Sequence, residues 1–138
     1  MNARHITGRE DLQDYIDAFN RKDYEHQISY YAPDVEYKVG SIVLTSPRAI
    51  ADFYADFHTY SDEFVSIGWF AMTGDKVAVT IPSWFGPFRD YKQNGLDFTA
   101  GQERRQVSFG WYHLKEGQIH RIRVARYVGP EDDFAVGA

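Results

Sequence analysis

The side chains best suited to chemistry in this sequence are one histidine, several tyrosines and a late arginine. His58 follows a helix with one apolar face, and a neutral imidazole there can abstract or deliver a proton near neutral pH. The hydroxyl of Tyr15 can donate a hydrogen bond to negative charge that develops on a substrate. The guanidinium of Arg126 can hold a carboxylate, an enolate or a phenolate. These residue types indicate proton transfer on an organic ligand.

Each of these residues also has a purely structural interpretation, which the sequence leaves open. His58 can be a partly buried, hydrogen-bonded residue that ends its helix. Tyr15, Tyr31 and Tyr54 can be core residues whose hydroxyls reach a polar partner. Arg126 can extend to the rim of a pocket and pair with an acid of the C-terminal tail.

Other kinds of catalytic site find little support in the sequence. The chain has no cysteine, which excludes disulfide bonds, thiolate zinc sites and cysteine nucleophiles. Its five histidines lack the spacing of a three-ligand metal site. Ser108 lacks the flanking glycines of a nucleophile elbow, and there is no glycine-rich phosphate loop. We therefore expect neither a metal nor a cofactor.

Composition limits the partners that we expect. The chain has 138 residues, enough for one domain, with a core over about residues 8–128 and a tail over 129–138. Its net charge of −5 argues against nucleic acid. Because no apolar run could span a membrane and no secretory signal is visible, we expect a cytoplasmic protein with no membrane partner. The 17% aromatic content favours a pocket for a small apolar or flat ligand.

Three helices are predicted in the first half of the chain. Residues 7–10 have the spacing of a capping box that opens the first helix. A second helix over residues 24–31 is expected to be capped by Asp23 and ended by Pro33. A serine followed by proline at residues 46–47 marks the start of the third helix.

Strands are predicted mainly in the second half. One short strand, residues 35–39, separates the second and third helices. After Glu63 the apolar residues alternate, which predicts four strands over residues 64–72, 76–85, 102–114 and 119–127. Residues 86–101 form the one long irregular connection. Together these elements predict an α+β fold with an antiparallel sheet and helices packed on one face.

The segments YIDAFNRKDYEHQISYYAPDVEY, SPRAIADFY and GWYHLKEGQIHRIRVARY resemble the nuclear-transport-factor-two-like superfamily, which includes SnoaL-like and ketosteroid-isomerase-like proteins. The resemblance implies a curved antiparallel sheet wrapped around three helices, a cone with one apolar pocket. It places Tyr15 at the isomerases' oxyanion-donating tyrosine, with Tyr31 and Tyr54 as its supports. The isomerases' two aspartate positions are occupied here by Val39 and Gly110.

The last two strands allow their faces to be assigned. A three-residue loop at residues 115–117 would place Gly110 opposite Ile122. Alternation then separates two sets, and the resemblance places the first inside the cone: Gln106, Ser108, Gly110, Ile122, Val124 and Arg126. The second set lies on the convex face, where exposed rings beside guanidinium groups suit a homodimer interface: Val107, Phe109, Trp111, Arg121 and Arg123.

These assignments predict the pocket and its use. The expected wall consists of the six inward residues together with Phe19, Tyr31, Tyr37, Val39, Tyr54 and Trp84, the last near the mouth. Within it, His58 would transfer the proton and Tyr15 would hold the oxyanion. The predicted function is a cofactor-independent isomerase, cyclase or dehydratase acting on a small apolar or aromatic metabolite. A non-catalytic small-molecule-binding or accessory protein of the same fold is the alternative.

Overall fold

The computed structural model describes residues 2–93 and 95–127; the predicted tail, residues 129–138, lies outside this part of the chain. The described residues form three helices: α1 (Arg9–Asn20), α2 (Tyr24–Ile28) and α3 (Pro47–Phe57). They also form nine strands: β1 (Tyr31–Val39), β2 (Ile42–Leu44), β3 (Ser61–Val65), β4 (Phe70–Thr73), β5 (Lys76–Pro87), β6 (Tyr91–Gln93), β7 (Leu96–Phe98), β8 (Arg104–Lys115) and β9 (Gln118–Arg126).

The helix starts are close to those predicted, with one change of partner. The Thr7 backbone amide and hydroxyl both donate to Asp11 Oδ2, at 2.7 and 2.5 Å, so Asp11 takes the role expected of Glu10. The Asp23 side chain accepts from the backbone of α2, and Ser46 caps α3 by accepting from the third helical residue. The caps predicted for α2 and α3 are therefore confirmed, whereas the predicted capping box of α1 is wrong, because its N-cap is Gly8 and no side chain caps the helix.

The predicted second helix is too long, because α2 ends at Ile28. Tyr31, expected on that helix, instead begins β1 and pairs with Ile119 of β9. Pairing with β9 thus overrides the local helical spacing around Tyr31. Pro33 lies inside β1, between Tyr31 and Glu36, where the pairing register with β9 shifts. An irregular stretch of this kind tolerates a residue that has no N–H to donate.

One curved sheet carries most of the strands, in the order β2-β1-β9-β8-β5-β3, with β4 also paired to β5. Its pairs are antiparallel except β1 with β9, which run parallel, so the sheet is mixed and the prediction of a wholly antiparallel sheet is corrected. The sheet curls strongly around the helices, and the predicted cone-shaped α+β fold is confirmed.

Two strand predictions need correction. The strand expected over residues 64–72 is divided into β3 and β4, because the chain between them bulges against β5. A Cβ on Gly68 would lie 2.5 Å from the Thr80 hydroxyl, so this close approach requires glycine. The connection over residues 86–101, expected to be irregular, contains the β6–β7 hairpin.

The turn between β8 and β9 is one residue shorter than predicted. Glu116 and Gly117 have φ of 52° and 81°, and Lys115 pairs directly with Gln118. A register shift follows between His113 and Leu114, so Gly110 faces Val124 rather than Ile122. The register prediction was therefore wrong by two residues. A register shift by an even number of residues leaves each side chain on the same face of the sheet. The predicted inward and outward sets of residues are therefore unchanged.

Candidate functional site

A cavity of about 430 Å³ lies between the helices and the concave face of the sheet. This volume is in the range of ordinary small-molecule sites. Most of its wall is apolar or aromatic. The residues predicted for the site that line it are Tyr15, Phe19, Tyr37, Val39, Tyr54, Gln106, Ser108, Val124 and Arg126.

Trp84 does not reach the cavity. On β5 its neighbours Ser83 and Phe85 face inward, so alternation turns Trp84 to the outer face. There its ring packs against Phe64, with centroids 5.8 Å apart. Part of the wall comes instead from the β6–β7 hairpin, which contributes Gln93, Leu96 and Phe98.

Gly110 and Ile122 lie on the predicted face but not at the wall. Ile122 is fully buried in the core. A Cβ on Gly110 would lie 3.0 Å from both Val79 Cγ1 and Tyr112 Cε1. The space that an aspartate would need there is already filled by neighbouring side chains, and Tyr112 provides cavity wall in its place.

The tyrosines form two separate hydroxyl pairs. Tyr15 and Tyr31 lie 2.6 Å apart, oxygen to oxygen, with Tyr31 behind the wall and Tyr15 at it. Tyr54 does not support Tyr15, contrary to the role implied by the resemblance; its hydroxyl lies 2.5 Å from that of Tyr37. Burial raises the pKa of Tyr15 well above its usual value and that of Tyr37 to about 12, so both remain protonated hydrogen-bond donors.

His58 lies behind the wall rather than at it. It follows α3 directly and is 7% exposed, with both ring nitrogens in contact with protein groups. Nδ1 lies 2.6 Å from the Tyr24 hydroxyl, and Nε2 lies 3.1 Å from Glu63 Oε1. The prediction that the imidazole faces the pocket is therefore corrected. The group that reaches the cavity is the carboxylate to which it is bonded, Glu63 of β3.

Two of the protons in this chain of contacts can be assigned. Burial, and then the charge of Glu63, raise the pKa of Tyr24, so its phenol keeps its proton beside His58 Nδ1. His58 Nε2 faces a carboxylate oxygen, which accepts, so Nε2 carries a proton and donates it to Glu63 Oε1. His58 thereby fixes one carboxylate oxygen of Glu63.

Glu63 is 8% exposed and, among the described residues that line the cavity, it is the only acid. Burial raises its pKa above the ordinary glutamate value, while the hydrogen bond and charge of His58 act in the opposite direction. A carboxylate with a raised pKa at an apolar wall is a stronger base than one in water. It can accept a proton from a bound organic molecule.

Sequence reasoning missed Glu63 because it stands where the helical pattern ends and the alternating pattern begins. A usable signal was present. Extending the alternation of β3 back from Val65 puts Glu63 on the inner face, five residues after His58. Gln27 was also missed; it lies on α2, is 1% exposed and lines the cavity.

Polar side chains from three strands also line the cavity. Ser83 pairs with Gln106 across β5 and β8, and Ser108 pairs with Arg126 across β8 and β9. Arg126 is exposed while lining the cavity, so it lies at the rim. The tail acids suggested as its partners lie outside the described residues.

The described residues contain no group of three or more histidine, aspartate or glutamate side chains placed to hold a metal ion. Within the same ranges, no helix has the length and apolar character needed to cross a membrane.

The family follows from a sequence match over most of the chain. The profile of the SnoaL-like domain matches residues 12–122. The chain therefore belongs to the SnoaL-like family. No protein among the curated sequences matches it.

Solved structures share the fold at low identity. A protein proposed to be a polyketide cyclase, from Silicibacter sp. TM1040, is 17% identical with a TM-score of 0.75, over 97% of this chain and 99% of that one. A protein with a ketosteroid isomerase-like fold from Catenulispora acidiphila, in complex with trimethylamine, is 12% identical with a TM-score of 0.72, over 86% of each chain. An epoxide hydrolase from M. tuberculosis is 14% identical with a TM-score of 0.67, over 84% of this chain and 79% of that one. At these identities the likeness establishes the fold.

Proposed function

We propose that the protein is a cofactor-independent isomerase, cyclase or dehydratase that moves a proton on a small, largely apolar molecule bound in the cavity. The observation that carries the proposal is the buried Glu63 carboxylate at an apolar wall, held from behind by His58 and Tyr24. The names of structural relatives, a proposed polyketide cyclase and an epoxide hydrolase, support catalysis on organic ligands of this kind.

In this proposal Glu63 is the proton acceptor and His58 is a positioning residue. The His58 hydrogen bond occupies Oε1 of Glu63, which leaves Oε2 available to a ligand. Both imidazole nitrogens of His58 have protein partners, so the ring has no free nitrogen for direct attack on a ligand proton. The role of base, which the sequence analysis gave to His58, is therefore assigned in this proposal to the Glu63 carboxylate that His58 orients.

Hydrogen-bond donors are needed where negative charge develops on the ligand. Tyr15 lines the cavity, and Tyr31 lies behind it. A phenol held by a neighbour in a dry site can stabilise an oxyanion without reorganising during the reaction. We propose that Tyr15 provides this donor, as predicted from the sequence.

Proton abstraction can be measured without knowing the natural substrate. Deuterium incorporation from D₂O next to the carbonyl of 2-tetralone and related cyclic ketones, followed by mass spectrometry, reports the step directly. We expect the wild-type protein to accelerate exchange, and Glu63→Gln to reduce the rate by roughly 10²–10⁴-fold, the usual contribution of a general base.

The neighbouring acid provides a matched control. Asp62 is the preceding residue of β3, contacts Lys22 and is partly exposed, and it is not among the residues that line the cavity. Asp62→Asn should therefore leave exchange unchanged. A Glu63→Gln variant that keeps more than a tenth of the wild-type rate would exclude Glu63 as the base. Binding of the ketones without exchange would favour a non-catalytic binding protein.

We also propose that two copies pair through the convex face of the sheet. Phe109 and Trp111 of β8 are 39% and 44% exposed, and Arg121 and Arg123 lie on the same face of β9. Large rings beside guanidinium groups favour protein interfaces over open solvent. Val107, also predicted there, is only 5% exposed, so it adds little to this surface.

A further inference from the structure

The Glu63 carboxylate is buried at the cavity wall, and among the described residues no lysine or arginine forms an ion pair with it. Its partner is His58, which carries a charge only when it is protonated. Arg126 lies at the rim on β9, and two strands, β8 and β5, separate β9 from β3. Arg104 of β8 is not among the residues that line the cavity. A charge in an apolar setting is costly unless it is paired, so this wall favours a ligand that carries positive charge.

Aromatic rings of the cavity wall surround the contact between Glu63 and His58. Phe85 lies directly opposite Glu63 on β5, and both side chains reach the cavity. Three further wall residues have ring centroids 5.4 to 6.0 Å from that of His58: Phe19, Tyr54 and Phe57. We refer to these three rings and Phe85 as the ring cluster. The faces of such rings carry partial negative charge, so they attract cations as well as apolar groups.

One carboxylate beside several rings suits a particular kind of cation. A metal ion needs several ligand oxygens, whereas Glu63 is the only acid among the described residues of the wall. An alkylated ammonium group needs no such ligand set, because its alkyl groups are apolar and its charge is attracted by ring faces. It combines the two properties that this part of the wall favours.

We propose that the cavity binds an organic cation, with a tertiary or quaternary ammonium group lying between the Glu63 carboxylate and the ring cluster. The hydrogen bond from His58 uses Oε1 of Glu63, so Oε2 faces the ligand. The rings contact the alkyl groups on nitrogen. This inference goes beyond the proposed function, because it needs an ionised Glu63 at the cavity but does not need that carboxylate to take a proton from a ligand.

Phenyltrimethylammonium and tert-butylbenzene have the same shape and differ by one positive charge. Their dissociation constants are measured by calorimetric titration at pH 8. We expect the wild-type protein to bind phenyltrimethylammonium about tenfold more tightly than tert-butylbenzene, in line with a cation held against ring faces in a desolvated site. Glu63→Gln keeps the shape of the side chain and removes its charge. It should abolish this preference and leave the affinity for tert-butylbenzene within about twofold.

Two further variants test the two parts of the site. Asp62→Asn removes the neighbouring acid of β3, which does not line the cavity, and should leave both affinities unchanged. Phe85→Leu removes one ring of the cluster and should weaken phenyltrimethylammonium by about two- to fivefold more than tert-butylbenzene. A preference that persists in Glu63→Gln would overturn the role of the carboxylate. An equal loss for both probes in Phe85→Leu would overturn the role of the ring.

The outcomes distinguish this inference from the proposed function. If the wild-type protein binds phenyltrimethylammonium no more tightly than tert-butylbenzene, the cation site is overturned, and this comparison needs no variant that folds. Exchange of 2-tetralone by the same protein would then leave the proposed function in place. Conversely, a preference for the cation without exchange supports the cation site and counts against the proposed function. Failure of both probes to bind overturns the cation site.

Discussion

Replacing His58 by leucine tests whether Glu63 is charged and held by the imidazole. The substitution keeps an apolar side chain of similar bulk while removing two hydrogen bonds. The bond from Nε2 to the Glu63 carboxylate has a charged acceptor and contributes roughly 1.5–3 kcal/mol, and the hydrogen bond between His58 Nδ1 and Tyr24 contributes about 1 kcal/mol. We therefore expect the free energy of unfolding to fall by about 3 kcal/mol at pH 8.

The loss should depend on pH, and its direction follows from Glu63. Burial already raises the pKa of Glu63 in the fold, and His58 lowers it, so removing His58 raises the pKa further. When the pKa of a carboxyl is higher in the folded protein than in the unfolded protein, the folded protein loses stability as the pH rises. The loss develops between the pKa of the unfolded state and that of the folded state. At pH 5 the variant can keep Glu63 protonated, and the loss should be closer to about 1 kcal/mol.

Urea unfolding of the wild-type protein and of His58→Leu, at pH 5 and pH 8, measures both quantities. The matched control is His58→Leu combined with Glu63→Gln, which has no charge to bury and should lose the pH dependence. The exchange rate of 2-tetralone adds a second readout, because its pH profile should move to higher pH in His58→Leu. An equal loss of stability at both pH values would refute the assignment of a hydrogen-bonded, ionised Glu63.

Three other expectations concern the rim, the sheet and the surface. Because Arg126 is exposed at the rim, Arg126→Met should weaken binding of 2-naphthoate by roughly 0.2–1 kcal/mol and leave binding of 2-naphthamide unchanged. Equal affinity of the wild-type protein for both compounds would exclude an anion clamp. Gly110→Ala should lower the free energy of unfolding in urea by about 1–3 kcal/mol, because the added Cβ would lie too close to Val79. An unchanged unfolding midpoint would show that the side chains around Gly110 move aside without cost. Sedimentation should show a mass near twice 16.0 kDa, and Trp111→Glu should yield the monomer; a monomeric wild-type protein at high concentration would exclude the convex-face dimer.

Local signals in the sequence were sufficient for much of the fold. Caps and prolines located the helix starts, and alternation located the long strands β5, β8 and β9. The failures came where a contact distant in sequence decides the structure. Tyr31 has helical spacing from Tyr24 and Ile28, yet pairing with β9, nearly ninety residues later, makes it a strand residue. No local pattern contains that information.

The same limit explains the errors at the site. Alternation placed Gln106, Ser108 and Arg126 correctly at the wall, because the two-residue register error preserved the faces. The pairing of His58 with Glu63 was not found, since a histidine that ends a helix looks equally suited to face a pocket or to bind a neighbouring strand. Only the three-dimensional contact of His58 with Glu63 shows that the carboxylate, not the imidazole, reaches the cavity.

The polar groups of the cavity are consistent with one chemical arrangement. In the proposed function, Glu63 of β3 accepts the proton and Tyr15 of α1 donates to the ligand oxygen, so the two groups belong to different elements. In a ketone whose carbonyl oxygen accepts from Tyr15, that oxygen takes up negative charge when Glu63 removes a proton from the neighbouring carbon, and an enolate forms. A base on a separate element can then act on carbon without competing for the oxygen. Under the proposed function, this division of roles favours ketones with a C–H bond next to the carbonyl as substrates over isolated alcohols or hydrocarbons.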